Sequence, residues 1–417
     1  MMESRDRPRF DGKLGRRKRL GQAMTSIFFL STLIGVLALS ALLYNIINQT
    51  AGLRAVEYKN DPAALAVDGL PVEDLSREQM VMVLQANLTR GAYNKLENEK
   101  PFAERSRDDI YGLIVERLLK PKVVENWSLV DSLTKRGEIE AFVAAEAPQA
   151  KLEFVSWLTP EFVSRPQSSE PLRAGVRTAI LGSLLTISIT ILVAFPIGVG
   201  AAIYLEEYAR DTGLNRLIRT NINNLAGVPS IIYGILGLAI FVRALEPVMS
   251  GALFGLVQDP TTANGRTILA AGLSLALLVL PLVIINAQEA LRAVPDSLRQ
   301  AGLGLGGTKW QTIWSHVLPT AMPGVLTGTI LAVSRAFGET APLVVIGAST
   351  YISKDPSGLF SKFTALPIQI YQWTSRPQSE FWNLAAASIV VLLVLLLALN
   401  AAAVLLRNRY GRRAEQL

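Results

Sequence analysis

The chain has 417 residues, 50% of them hydrophobic and 18% charged, with a formal net charge of +7, no cysteine and one histidine, His316. That composition excludes disulfides, cysteine nucleophiles and the usual zinc and iron–sulfur ligand sets. The positive balance invites a nucleic-acid reading, but the way it is distributed along the chain argues against one.

The apolar residues fall in blocks, and a helix needs about 20 mostly apolar residues to cross a hydrocarbon core. Five blocks meet that length or come close: Met24–Ile47, Ala179–Leu205, Leu225–Val242, Ile268–Ala287 and Phe381–Leu406. A sixth, Ala321–Ile346, is long enough but carries Arg335 and Glu339. The fold class expected is therefore an all-α integral membrane protein with six transmembrane helices and a small helical extracytoplasmic insert. The first block is longer than the ~7–15-residue apolar core of a signal peptide and has no small-residue cleavage site, so it reads as an uncleaved span. The third contains Gly227 and Pro229, which predict a kink or unwinding at one end.

In chain order the organisation is a basic tail (1–23), the first span (24–47), an insert (48–172), a membrane core (173–406) with a polar loop at 289–319, and a second basic tail (407–417). Basic residues crowd the tails (Arg16-Arg17-Lys18-Arg19 and Arg412-Arg413, for example) and the segments holding Arg216, Arg219, Arg292, Arg299 and Lys309. The short loops on the other side carry few. By the positive-inside rule both termini and the 289–319 loop are cytoplasmic and the insert is outside. In the insert, Ser76-Arg77-Glu78-Gln79 and Ser106-Arg107-Asp108-Asp109 resemble helix caps, and Ile110, Leu113, Ile114 and Leu118 share a helical face, so helices are expected there.

The 289–319 loop predicts two short helices. The first starts at Pro295, with Asp296 at its positive end, and stops at Gly306-Gly307. The second is capped by Thr308, carries Trp310, Ile313, Trp314 and Val317 on one apolar stripe, and ends at Pro319. An amphipathic loop lying at the bilayer interface would explain that stripe as well as a docking surface would. Gly302–Gly307 satisfies G-x-G-x-x-G, but no strand precedes it, so a dinucleotide site is excluded. Thr308-Lys309 reverses the order that a phosphate-binding P-loop needs.

The same loop resembles the EAA loop of ABC importer permeases. The matching positions are Gln300-Ala301-Gly302, Gly306 and His316-Val317-Leu318-Pro319, with Gln300 in place of the usual glutamate. Three further stretches resemble signatures of the PstA-type permease of ABC phosphate importers: Pro196–Ala209, Asn224–Gly234 and Arg335–Leu343; Leu366–Tyr371 fits as well. The resemblance implies a MetI-like membrane core and one permease subunit of an ATP-driven phosphate importer in the bacterial inner membrane, not itself an enzyme. It implies a second permease of the PstC type, a cytoplasmic ATPase dimer of the PstB type and an extracytoplasmic phosphate-binding protein. This chain then binds no cofactor, ATP being used by the ATPase. It implies that Gln300, Ala301, Gly302, Gly306, Trp310, His316, Leu318 and Pro319 couple to that ATPase. Sulfate or molybdate is the nearest alternative cargo. A membrane-anchored sensor or a polytopic enzyme fits less well, because no output domain and no clustered chemistry is present.

Arg335 and Glu339, at i and i+4, are expected on one helix face. An ionisable residue at the centre of a span costs about 2.5–3.5 kcal/mol on insertion scales, so such a pair either neutralises itself or faces a polar path. The implied phosphate route favours the second, with Arg335 offering a forked donor set to an oxyanion and Glu339 orienting it. Glu206-Glu207 diverge on a helix and suit contacts with neighbouring segments rather than catalysis, and attraction to the membrane surface accounts for Arg292 and Arg299.

Overall fold

The computed structural model describes residues 14–67, 69–256, 264–348, 351–352 and 354–414. The tail residues Arg5, Arg7, Arg9 and Lys13 lie outside them, as do residues 415–417. Among the described residues five helices are long and apolar enough to cross a membrane, and a bent helix pair makes a sixth crossing if it counts as one span. The first span, Leu14–Gln49, is exposed along its whole apolar length and touches the others chiefly through the last span, Ser379–Ala414. The core is built from the second (Arg177–Ile203), fourth (Ile268–Arg292) and fifth (Leu318–Phe337) spans, with the fourth at the centre and the broken third packed against it.

Lipid-embedded helices gain little hydrophobic drive from one another, so close backbone approach at small residues has to supply the packing. A Cβ added at Gly198 would lie 2.6 Å from Val283 Cγ1, and one at Gly272 would lie 2.6 Å from Ile189 Cβ. These glycines set the spacing of the second and fourth spans. Between them Thr190 donates to the carbonyls of Thr186 and Gly272 at 2.9 and 3.0 Å.

The expected third span breaks at its Gly227–Pro229 end, as those two residues predict. An amphipathic helix, Gly213–Ala226, meets the apolar helix Ser230–Gly237 and its π-helical continuation Leu238–Ala244 at 105°. Pro229 lacks the N–H and the room needed to continue a helix through the break. Tyr233 Oη donates to the freed carbonyl of Leu225 at 2.8 Å and pins the corner. The Ala321–Ile346 block is likewise broken, because its helix stops at Phe337 with Gly338 as C-cap and a short helix Ala341–Ile346 follows.

The insert has the helices expected at Ser76 and Ser106, each opened by a capping box. It also contains a three-stranded antiparallel sheet that the helical expectation did not include. Its order is β2–β1–β3, with β1 at Ala51–Tyr58, β2 at Pro121–Asn126 and β3 at Lys151–Ser156. The strand β1 follows the first span almost at once. The helices between β1 and β2 close over Leu75, Met80, Leu84, Ile110 and Ile114, all with no measurable exposure. The insert is joined to the membrane core by Trp157 and Phe162, which pack with Leu366, Trp373 and Phe381 at the near ends of the spans. Arg177, at the start of the second span, donates to the Ser164 carbonyl of the insert at 2.7 Å while it pairs with Asp355 of the core at 3.0 and 3.1 Å.

Candidate functional site

At the end of the molecule opposite the insert, the loop between the fourth and fifth spans forms the expected pair of short helices. The first runs Asp296–Gly304 with Pro295 as its N-cap, one residue inside the expected start. It ends as Gly306-Gly307 predicts. Gly306 takes φ +83°, its N–H bonds the Leu303 carbonyl at 3.0 Å, and the Gly307 N–H reaches the Gly302 carbonyl at 3.2 Å. These are the two bonds of a Schellman stop. Thr308 and Gln311 then make the capping box of the second helix.

That second helix does not end at Pro319. Lys309–Thr312 passes through a π turn, Ile313–Val317, straight into the fifth span. In the π turn the Leu318 N–H bonds the Ile313 carbonyl, and one turn on Thr320 Oγ1 donates to the carbonyl of His316 at 2.7 Å. The stripe expected on this helix is divided as well. Ile313 and Val317 are buried at 1% and 0%, whereas Trp310 and Trp314 stack on each other at 5.5 Å on the exposed side.

The implied coupling residues are sorted by the same geometry. Gln300, Ala301, Gly306, Trp310 and His316 are exposed, Pro319 is half-buried, and Gly302 and Leu318 are buried. Gly302 faces the second helix, where an added Cβ would lie 2.6 Å from Thr312 Cγ2. The position therefore accepts glycine because the two arms of the loop touch there. Leu303 and Leu305 of the first arm are exposed as well, at 51% and 87%, so the loop presents apolar side chains on both arms, an apolar knob.

The residues that hold the knob are the ones whose arrangement the sequence did not disclose. The second span continues through a π turn, Tyr204–Tyr208, which carries Glu206 and Glu207. Glu206 pairs with Arg292 at the end of the fourth span at 2.8 Å, and with Arg219 of the amphipathic helix at 3.3 Å. Glu207, its side chain 6% exposed, pairs with Arg299 of the first loop helix at 2.8 Å. Arg299 also donates to the carbonyls of Leu291 and Val294 and to Asp296, so its planar fork of donors is filled by three chain segments. From the other arm of the loop, Lys309 bonds the Glu207 carbonyl and lies 5.1 Å over the Tyr208 ring. Arg292 and Arg299 are thus ion-pair partners, and attraction to a membrane surface is not needed to explain them. The available signal was an acidic pair at the end of one apolar block and two arginines seven residues apart after another.

Arg335 and Glu339 do not share a helix face as expected. Arg335 is in the last turn of the fifth span, and Glu339 lies beyond the C-cap Gly338. Their side chains still meet, Arg335 Nε donating to Glu339 Oε1 at 3.4 Å. The arginine is half-exposed on the surface of the chain and the carboxylate is largely covered.

The geometry has a counterpart in known proteins. A family model described as "Binding-protein-dependent transport system inner membrane component" matches residues 194–415. The "Phosphate transport system permease protein PstA 1" of Mycobacterium tuberculosis (strain ATCC 25618 / H37Rv) is 33% identical over 243 residues, 57% of this chain and 71% of its own length. The "Phosphate transport system permease protein PstA" of Yersinia pestis is 35% identical over 227 residues, 54% of this chain and 70% of its own. The "Probable ABC transporter permease protein YqgI" of Bacillus subtilis (strain 168) is 30% identical over 240 residues, 57% of this chain and 74% of its own. A chain of the MetNI methionine ABC transporter, solved in an inward facing conformation, aligns at 17% identity with a TM-score of 0.42, covering 58% of this chain and 99% of its own, too loosely to carry an argument. The family match covers more than half of the chain, and the chain belongs to the multi-pass inner membrane components of binding-protein-dependent transport systems, as a PstA-type ABC permease.

Proposed function

We infer that this chain is one of two membrane-spanning subunits of an ATP-driven phosphate importer. The observation that carries the reading is the apolar knob of the 289–319 loop, displayed at one end of a chain whose relatives are named as phosphate permeases. Trp310, Trp314, Leu303 and Leu305 suit a groove on a cytoplasmic ATPase dimer of the PstB type, aromatic anchors being the side chains that carry most interface energy. Both termini are then cytoplasmic and the insert faces the phosphate-binding protein on the other side. A second permease of the PstC type completes the translocation path.

Arg335 belongs to that path. Its pairing with Glu339 uses one edge of the guanidinium and leaves both terminal amino groups without a protein partner among the described residues. A tetrahedral oxyanion can accept two parallel bonds from such a fork. Glu339 orients the fork and opposes over-tight binding of the anion. The test is uptake of radiolabelled phosphate by proteoliposomes holding this chain with its partner permease and ATPase and supplied with the phosphate-binding protein, with sulfate and molybdate as competitors. ATP-dependent uptake that both competitors leave unchanged supports phosphate, and displacement by either one assigns the path to that anion instead.

A further inference from the structure

We propose that Glu207 and Arg299 are positioning residues that fasten the coupling loop to the end of the second span, so that the loop and that span move as one body. The proposal rests on the coupling role given to the loop above and adds how its movement reaches the membrane.

A loop pushed by a partner transmits force only along contacts that do not yield first. Both arms of this loop are tied to the same short stretch, Glu206–Tyr208. The first arm is held by Arg299 on Glu207, and the second by Lys309 on the Glu207 carbonyl and the Tyr208 ring. Beneath them Leu205, Leu291, Ile313 and Val317 form one apolar cluster, each no more than 3% exposed. An ion pair shielded above such a layer is screened far less than a surface pair, and without the Glu207 charge Arg299 keeps only its own helix and the end of the fourth span as partners. Glu206 extends the same joint to the fourth span and to the amphipathic helix before the bend in the third. A displacement of the knob therefore arrives at the second span, the fourth span and the 105° corner together.

The geometry separates this joint from the docking surface. Glu207 is covered, while Leu305, Trp310 and Trp314 face outward. Removing the Glu207 charge should therefore leave ATPase attachment intact and impair transmission alone.

The test uses the whole transporter in proteoliposomes and reads phosphate taken up per ATP hydrolysed. Glu207→Gln is expected to retain the ATPase at purification and to hydrolyse ATP, while uptake per ATP falls roughly tenfold, within the range seen for residues linking two-state elements. Since the chain has no cysteine, Glu207→Cys with Arg299→Cys, in cysteine-free partners, allows a bis-methanethiosulfonate bridge between the two positions. Uptake per ATP should be low in the unbridged double variant, recover on bridging and fall again on reduction. Unchanged coupling in Glu207→Gln, loss of the ATPase from that variant, or failure of the bridge to restore coupling would each overturn the proposal. Absence of ATP-driven uptake in the unsubstituted transporter would instead overturn the functional reading, and the coupling role with it.

Discussion

Arg335 and Glu339 meet across the end of a helix rather than along its face, with Nε and Oε1 3.4 Å apart on either side of the Gly338 cap. The carboxylate is the covered partner and the guanidinium the exposed one, at 17% and 51% of side-chain exposure. A merely self-neutralising pair has no need of that asymmetry, whereas a donor offered to a passing anion does. Arg335→Gln is expected to abolish phosphate uptake while the complex still assembles, as judged by co-purification of the ATPase. Normal uptake by that variant would remove Arg335 from the path.

Leu305 is 87% exposed on the first arm of the loop, and the stacked tryptophans are exposed on the second. Leu305→Glu places a charge on the proposed docking surface without disturbing any buried contact. The fold should keep its thermal stability in detergent to within about 0.5 kcal/mol, as surface changes do. Attachment of the ATPase should weaken at least about tenfold, a loss of about 1.4 kcal/mol. Retention of the ATPase at wild-type affinity would point to a knob that rests on lipid.

Gly302 lies where the two arms of the loop touch, 2.6 Å being all the room between a new Cβ and Thr312 Cγ2. Gly302→Val should force the arms apart at a cost of about 1–3 kcal/mol, the usual range for overpacking. Proteolysis of the loop, followed over time, should quicken in that variant. Gly304→Ala is the control, since nothing lies within 4 Å of the added carbon and the cleavage rate should hold.

Tyr58 and Tyr111 in the insert both have their phenol pKa pushed up to about 12, first by burial and then by the carboxylates of Glu153 and Glu73. The ordinary value is 10.0, so the folded state holds these protons more tightly than the unfolded one. Their contribution to stability is complete below the ordinary value and is lost as pH rises through about 12. The insert should therefore loosen in that alkaline window, as followed by tyrosinate absorbance and circular dichroism. Tyr58→Phe with Tyr111→Phe should flatten the dependence, and an unaltered alkaline midpoint would contradict the assignment.

Trp373, fully buried between Phe162 and Phe381, joins the insert to the spans. Trp373→Ala should cost about 3–5 kcal/mol, read as a fall in thermal stability. Trp373→Phe should cost much less, because the indole N–H it removes has no hydrogen-bond partner among the described residues.

The apolar blocks, the glycine stop at Gly306-Gly307 and the caps at Ser76, Ser106 and Thr308 were legible in the chain because each depends on neighbours a few residues apart. A span is determined by about 20 successive side chains, and a cap by four. The strands of the insert were not legible, since Pro121–Asn126 and Lys151–Ser156 are six residues each and acquire their order only by pairing with Ala51–Tyr58. Helix-like periodicity between them concealed the sheet. The joint at Glu206-Glu207 was legible only as a charged pair suited to contacts with neighbouring segments, and not which segments, because its partners Arg219, Arg292 and Arg299 are 13, 86 and 92 positions away. Local composition by itself determined that this chain crosses a membrane and where its loops lie. The choice of which charges bind each other, where the fifth span breaks, and which face of the loop remains open was made by packing between distant segments, which alone fixes the burial and distance on which an ion pair depends.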